Sequence, residues 1–351
     1  MKIAKICLFL IIGCVFIYFS VGLPEVFAQQ AYSFVMKWGS LGNYDGLLNV
    51  PASLAFDSSG NVYVTDTNNN RIEKFSSDGK FLSKWGTAGS GPGEFDLPTG
   101  ITIDTAGNIY VTDQSNNRIQ EFSSSGSYIK EFNLLGLFPR GIALDSAGNL
   151  YFTDPAKDLI VKFANDGHEI ASWGGYGTVT GKLDTPSSIA LDRNANVYVV
   201  DTGNGRIQKF TSDGQFLTSW GSEGTGNGQF ISPQGIAIDS DGNVYVTDTY
   251  NSRVQKFTSD GQFLTTWGSF GTGNGQFLKP TGIAIDSAGN VYISDADYDH
   301  PSIQKFTTGN LTTSTQQKST VPEFGATNVG ALTIAILSLL IFTSTKFRFK
   351  N

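Results

Sequence analysis

The chain has 351 residues, 41 of them glycine, with 13% aromatic, 40% apolar and only 16% charged residues. That mix excludes a disordered polypeptide and suits many short strands joined by glycine turns. Both cysteines, Cys7 and Cys14, lie near the N-terminus, so the remainder forms neither a disulfide nor a cysteine metal site.

Lys2 and Lys5 precede an apolar run from Ile6 to Leu23, followed by Val26-Phe27-Ala28. This three-part pattern predicts a secretory signal over residues 1–28, cleaved after Ala28. Ile11-Ile12-Gly13-Cys14 loosely fits a lipoprotein signal, but the apolar run continues well past Cys14.

Internal repetition organises the middle of the chain, residues 29–309. The pattern of Pro, two residues and an Ile-Ala-Ile-Asp-like run appears as Pro51-Ala52-Ser53-Leu54-Ala55-Phe56-Asp57. It recurs ending at Asp104, Asp145, Asp192, Asp239 and Asp286, at intervals of 47, 41, 47, 47 and 47 residues. Each unit holds four short runs; in the fifth they are 235–239, 243–248, 253–257 and 262–267. Apolar and polar residues alternate in the last three runs, which predicts half-buried strands. The first run is nearly all apolar, which predicts a strand buried on both faces. Six four-stranded antiparallel units around an axis make an all-β, six-bladed propeller.

The sixth unit stops near Phe306 without a fourth run. The missing run stands at the other end, where Tyr32 to Trp38-Gly39 resembles Gln215 to Trp220-Gly221. Residues 33–38 are therefore predicted to close the ring as the outer strand of blade six, which removes an open edge. Trp38, Trp85, Trp173, Trp220 and Trp267 all occupy one repeat position, with Phe132 in the second unit, as packing residues.

Asp66, Asp113, Asp154, Asp201, Asp248 and Asp295 end the second strand of each unit. Arg71, Arg118, Arg206 and Arg253 begin the third strand in four of them. Pairs Asp66–Arg71, Asp113–Arg118, Asp201–Arg206 and Asp248–Arg253 are predicted to form charge-assisted bonds that link blades. Blade three has Leu159 in place of Arg, and blade six has the longer loop Asp295 to Ser302. Loops carry function more often than strands do, so Lys157, Asp158, Asp297, Tyr298, Asp299 and His300 are candidate ligand-binding residues. Asp295, Asp297 and Asp299 are candidate ligands for a divalent cation, although His300 and Phe306 stand where an EF-hand loop needs Gly and Glu.

Asn310 to Thr320 is rich in Thr, Ser and Gln, a flexible stalk over 310–321 that includes the sequon Asn310-Leu311-Thr312. An apolar segment from about Ala326 to Thr345 follows, long enough for a transmembrane helix, and then Lys346, Arg348 and Lys350. The basic flank predicts a cytoplasmic tail and an external propeller. Of 24 basic and 31 acidic residues, five and two lie in residues 1–28 and 321–351, leaving 19 and 29 and a net charge of −10. So acidic a domain repels phosphate backbones, which excludes nucleic acid as a partner.

The run Asp-Thr-x-Asn-x-Arg-Ile-Gln-Lys-Phe closely resembles NHL repeats from Tyr32 to about Thr308, which implies the same six-bladed fold. Pro322-Glu323-Phe324-Gly325, the apolar segment and the basic tail over 322–351 resemble the archaeal PEFG-CTERM sorting signal. That resemblance implies processing by a sortase-like enzyme. Related propellers include lyases and lactonases with a metal in the central channel, and the amidating-lyase type needs several histidines. This chain has only His168 and His300, placed on opposite faces. The expectation is therefore a cell-surface, membrane-anchored scaffold or sensor for an envelope protein or glycan, without catalytic residues or a cofactor and not an enzyme. The alternative is a hydrolase or lyase with a carboxylate-bound metal.

Overall fold

The structure is a computed structural model that describes residues 31–309. The segments predicted as secretory signal (with Ala28), stalk, sorting motif (Pro322 to Gly325) and apolar tail lie outside the described residues. Among the described residues no helix is long and apolar enough to cross a membrane.

Six four-stranded antiparallel sheets follow one another around an axis. Blade one is β2 (Pro51–Phe56), β3 (Val62–Asp66), β4 (Arg71–Phe75) and β5 (Phe81–Trp85). Blade two is β6 (Pro98–Ile103), β7 (Ile109–Asp113), β8 (Arg118–Phe122) and β9 (Tyr128–Asn133). Blade three is β10 (Ile142–Leu144), β11 (Leu150–Asp154), β12 (Leu159–Phe163) and β13 (Glu169–Gly174). Blade four is β14 (Pro186–Leu191), β15 (Val197–Asp201), β16 (Arg206–Phe210) and β17 (Phe216–Trp220). Blade five is β18 (Pro233–Ile238), β19 (Val244–Asp248), β20 (Arg253–Phe257) and β21 (Phe263–Trp267). Blade six joins β22 (Pro280–Ile285), β23 (Val291–Asp295) and β24 (Ser302–Thr308) to β1 (Tyr32–Trp38).

The ring closes as the repeat count requires, with β1 antiparallel to β24 from Tyr32 opposite Thr308 to Trp38 opposite Ile303. Six apolar clusters fill the spaces between blades, each drawing on two neighbouring sheets. Trp38, Trp85, Trp173 and Trp220 lie over Gly79, Gly126, Gly214 and Gly261 of the next blade; a Cβ there would meet the indole within about 3 Å. Trp267 has no such turn beside it, because blade six has no third-to-fourth hairpin. Tyr32 takes that place, stacked on Trp267 with centroids 3.9 Å apart.

Burial reverses one expectation. The second strands, not the first, are buried on both faces: all five residues of β3, β7, β11, β15, β19 and β23 are buried. They lie between adjacent blades, and their threonines and serine turn inward to hydrogen-bond the next blade. Thr65 donates to Thr99 O at 2.9 Å, Thr112 to Arg140 O at 2.8 Å and Thr153 to Ser187 O at 2.6 Å. Thr247 donates to Thr281 O at 2.7 Å and Ser294 to Ala52 O at 3.3 Å, which crosses the closure. The first strands are only partly buried because one side faces an axial channel.

Candidate functional site

The channel follows from the repeat. The sequence Pro-x-Gly or Pro-x-Ser opens each first strand, or in blade three stands just before it, and the x positions are Ala52, Thr99, Arg140, Ser187, Gln234 and Thr281, all lining one axial cavity of about 490 Å3. Gly100, Gly141, Gly235 and Gly282 let neighbouring first strands approach; a Cβ on Gly235 would lie 2.1 Å from Thr281 O. Thr67, Gln114, Thr249, Tyr250 and Ala296, just after second strands, and Val50, Ser232 and Lys279, just before first strands, complete the wall. The cavity therefore opens on the face that carries the second-to-third loops and the crossovers between blades.

Arg140 and Lys279 are the charged residues of this lining, which includes no Asp, Glu or His. Arg140 is half-buried, and burial lowers its pKa from the usual guanidinium value. Its Nη2 donates to Gln234 Oε1 at 2.6 Å, reaching across blade four. Gln234 Nε2 donates to Ser232 Oγ at 3.2 Å. Lys279 at the rim carries its Nζ 5.5 Å from the Tyr298 ring centroid. A cation in a half-desolvated pocket can hold an anion or stabilise negative charge that develops during a reaction.

The Asp–Arg pairs lie away from this wall and staple crossovers. Arg71 Nε donates to Asp66 at 2.7 Å, and its other nitrogens reach Asn43 O, Tyr44 O and Leu47 O of the loop that enters blade one. Arg118–Asp113 at 2.8 Å, Arg206–Asp201 at 2.7 Å and Arg253–Asp248 at 2.7 Å repeat the arrangement. Burial raises the pKa of Asp66 and Asp113 in spite of the adjacent guanidinium groups. The two departures have causes. The crossover into blade three is six residues shorter than the others, consistent with the 41-residue interval, and Leu159 has no comparable loop to hold. In blade six, Lys37 of β1 donates to Thr272 O at 2.7 Å in the position that Ser302 leaves.

The loop candidates stand outside the channel, and none of them lines it. Lys157 is exposed, and Asp158 accepts the Thr185 amide at 2.7 Å. Asp297 accepts the amides of Asp299 and His300, with the His300 ring 3.5 Å away; Tyr298 is exposed. Asp295 is buried and accepts the Leu278 and Lys279 amides, and burial together with Asp297 raises its pKa. Asp295, Asp297 and Asp299 are thus not gathered into one cation shell, and among the described residues no group of three or more His, Cys, Asp or Glu could hold a metal. With neither carboxylate nor imidazole in its wall, the axial pocket does not fit the resident metal that related propellers carry. His168, in the β12–β13 turn, is exposed and lies 2.6 Å from Asp166.

Sequence reasoning missed Arg140, which left one signal. It is the one charged residue in six aligned copies of the Pro-x position. The shared letters of the repeat define the fold, whereas this variable letter marks the channel.

Comparison with solved structures returns the same fold at low identity. A streptogramin B lyase is 17% identical, with a TM-score of 0.55 over 79% of this chain and 98% of that one. A gluconolactonase from Xanthomonas campestris is 17% identical, with a TM-score of 0.56 over 74% and 87% of the chains. An auxiliary nutrient binding protein from Bacteroides ovatus is 16% identical, with a TM-score of 0.59 over 80% and 77%. A comparison with curated proteins gave no match. Residues 47–298 match the virginiamycin B lyase family, from the crossover into blade one to the loop of blade six. This match overturns the expectation of a protein that is not an enzyme. That expectation leaned on the two separated histidines, which exclude one kind of zinc site but say nothing of chemistry run by other groups. Matched over more than half its length, the chain belongs to the virginiamycin B lyase family.

Proposed function

We propose that the chain is exported, held at the cell surface through its C-terminal segment, and works as a lyase-family propeller that takes a small polar molecule into its axial pocket and turns it over there. The observation that carries this reading is the pocket: about 490 Å3, on the loop-rich face, with polar side chains converging on a half-buried cation. That volume and lining are those of a small-ligand site. Arg140 supplies positive charge where a carbonyl oxygen of the bound molecule would become negative. Lys279 and Tyr250 at the rim carry groups able to exchange a proton with it. The solved lyase and gluconolactonase support an enzymatic reading of this fold.

A second reading is capture of an envelope glycan or protein on the same face. Exposed Tyr44, Tyr176, Tyr250 and Phe270 surround it, and the nutrient binding protein shares the fold. Incubating the full chain with lactones, esters and acidic sugars, followed by mass spectrometry, separates the two. The expected result is turnover that Arg140→Gln lowers by about 100-fold in kcat/KM. Turnover that Arg140→Gln leaves unchanged contradicts the role given to Arg140, and none across the panel contradicts the enzymatic reading.

A further inference from the structure

We infer that Arg140 and Gln234 form a receptor for a carboxylate, so that the molecule entering the axial pocket is a small organic acid or an acidic sugar. This rests on the axial pocket being the ligand site. Among the six x positions, four carry the small side chains Ala52, Thr99, Ser187 and Thr281, and only Arg140 and Gln234 are long. They come from blades three and five, on either side of blade four, and meet in the cavity wall, at 2.6 Å between Nη2 and Oε1. Arg71, Arg118, Arg206 and Arg253 each face an Asp and loop carbonyls. Arg140 makes no ion pair and has a single protein acceptor among the described residues. A guanidinium has five N–H donors in a planar fork, so most of Arg140's capacity points at nothing in the protein.

Charge sharpens the point. In a domain of net charge −10, the wall of this pocket carries two cations and no carboxylate. Leaving a cation half-desolvated without a partner costs stability, and a ligand carboxylate offsets that cost by accepting the free edge of the guanidinium. Gln234 is bound to Arg140 through its oxygen, and its amide nitrogen reaches only Ser232 Oγ at 3.2 Å. That nitrogen is a neutral donor placed beside the cation, which suits a planar two-oxygen acceptor.

The test is calorimetric titration of the full chain at constant ionic strength with acid and neutral pairs: lactate and lactamide, glucuronate and glucose, with inorganic phosphate as a further anion. The expected result is that an acid binds about 10- to 100-fold more tightly than its neutral counterpart, and that Arg140→Gln removes this preference. Melting temperature supplies a second readout that does not need turnover. The acid raises Tm of the wild type and not of Arg140→Gln, while Arg140→Gln alone melts no lower than the wild type. Acid and neutral partners bound equally, or an acid preference that survives Arg140→Gln, overturns the receptor while leaving the pocket as a ligand site. Phosphate bound more tightly than every carboxylate overturns the ligand class. Absence of binding by the whole panel at about 10 mM overturns the receptor, and turnover in the lactone and ester assay then still decides the pocket separately.

Discussion

At the scale of single residues, repeats make deviations informative. Gln120, Gln208, Gln255 and Gln304 donate from Nε2 to the carbonyl of an adjacent crossover at 2.6 to 2.7 Å. Blade one has Glu73 at this position, fully buried and 2.8 Å from Arg71. Burial, partly offset by Arg71, lifts its pKa to about 7. A carboxyl whose folded pKa lies above its unfolded value favours the protonated fold. Its contribution is complete below about pH 4.5 and is lost as pH rises through about 7, a change of about 3 kcal/mol. Glu73→Gln supplies a permanent donor, so urea midpoints of the variant should stay flatter between pH 5 and about 8 than those of the wild type. An identical pH profile contradicts this assignment. Gly235→Val places a side chain against Thr281 O and should cost about 3 kcal/mol in the same assay. At this scale the stapling pairs were legible, because Asp and Arg recur at fixed spacing in four copies. The channel residue was not, because its meaning lies in being unlike its five equivalents.

Elements follow from the repeat with one inversion. Alternation was read as half-burial for the second strand, yet residues such as Thr65, Thr112 and Thr247 are polar and buried, spent on bonds to the next blade. Hydropathy cannot distinguish a polar side chain that faces water from one that faces a carbonyl. The all-apolar first strand was read as doubly buried, yet it packs one side on its neighbours and turns the other to the axis. The closing strand was legible in full, because Trp38-Gly39 repeats a motif that the sixth unit lacks. Tyr32 stacking on Trp267 was not, since no other blade needs it. Deleting residues 30–39 removes β1 and exposes the edge of β24, and the melting temperature should fall by about 10 °C or more in calorimetry. Tyr32→Ala alone should cost about 2 kcal/mol, through lost stacking and the lost hydroxyl contact with Tyr245 at 2.8 Å. Unchanged transitions for both variants would contradict a ring held shut by its first strand.

For the molecule as a whole, closure and function share one cause. Six first strands drawn together by glycines and inward-turned hydroxyls leave a channel too narrow for a long side chain in every blade. The channel therefore has small residues at four positions and one long polar pair, Arg140 and Gln234. The fold could be read from the sequence because six copies vote on it, whereas the site is written once, at Arg140 and Gln234, and six copies vote against it. The measurement that tests the central claim most directly is a crystal structure of the full chain grown with glucuronate. Density for the sugar acid in the axial pocket, with its carboxylate on Arg140, is the predicted result. Density only at the blade-three and blade-six loops, around Asp158 or His300, with the axial pocket holding solvent, would contradict it.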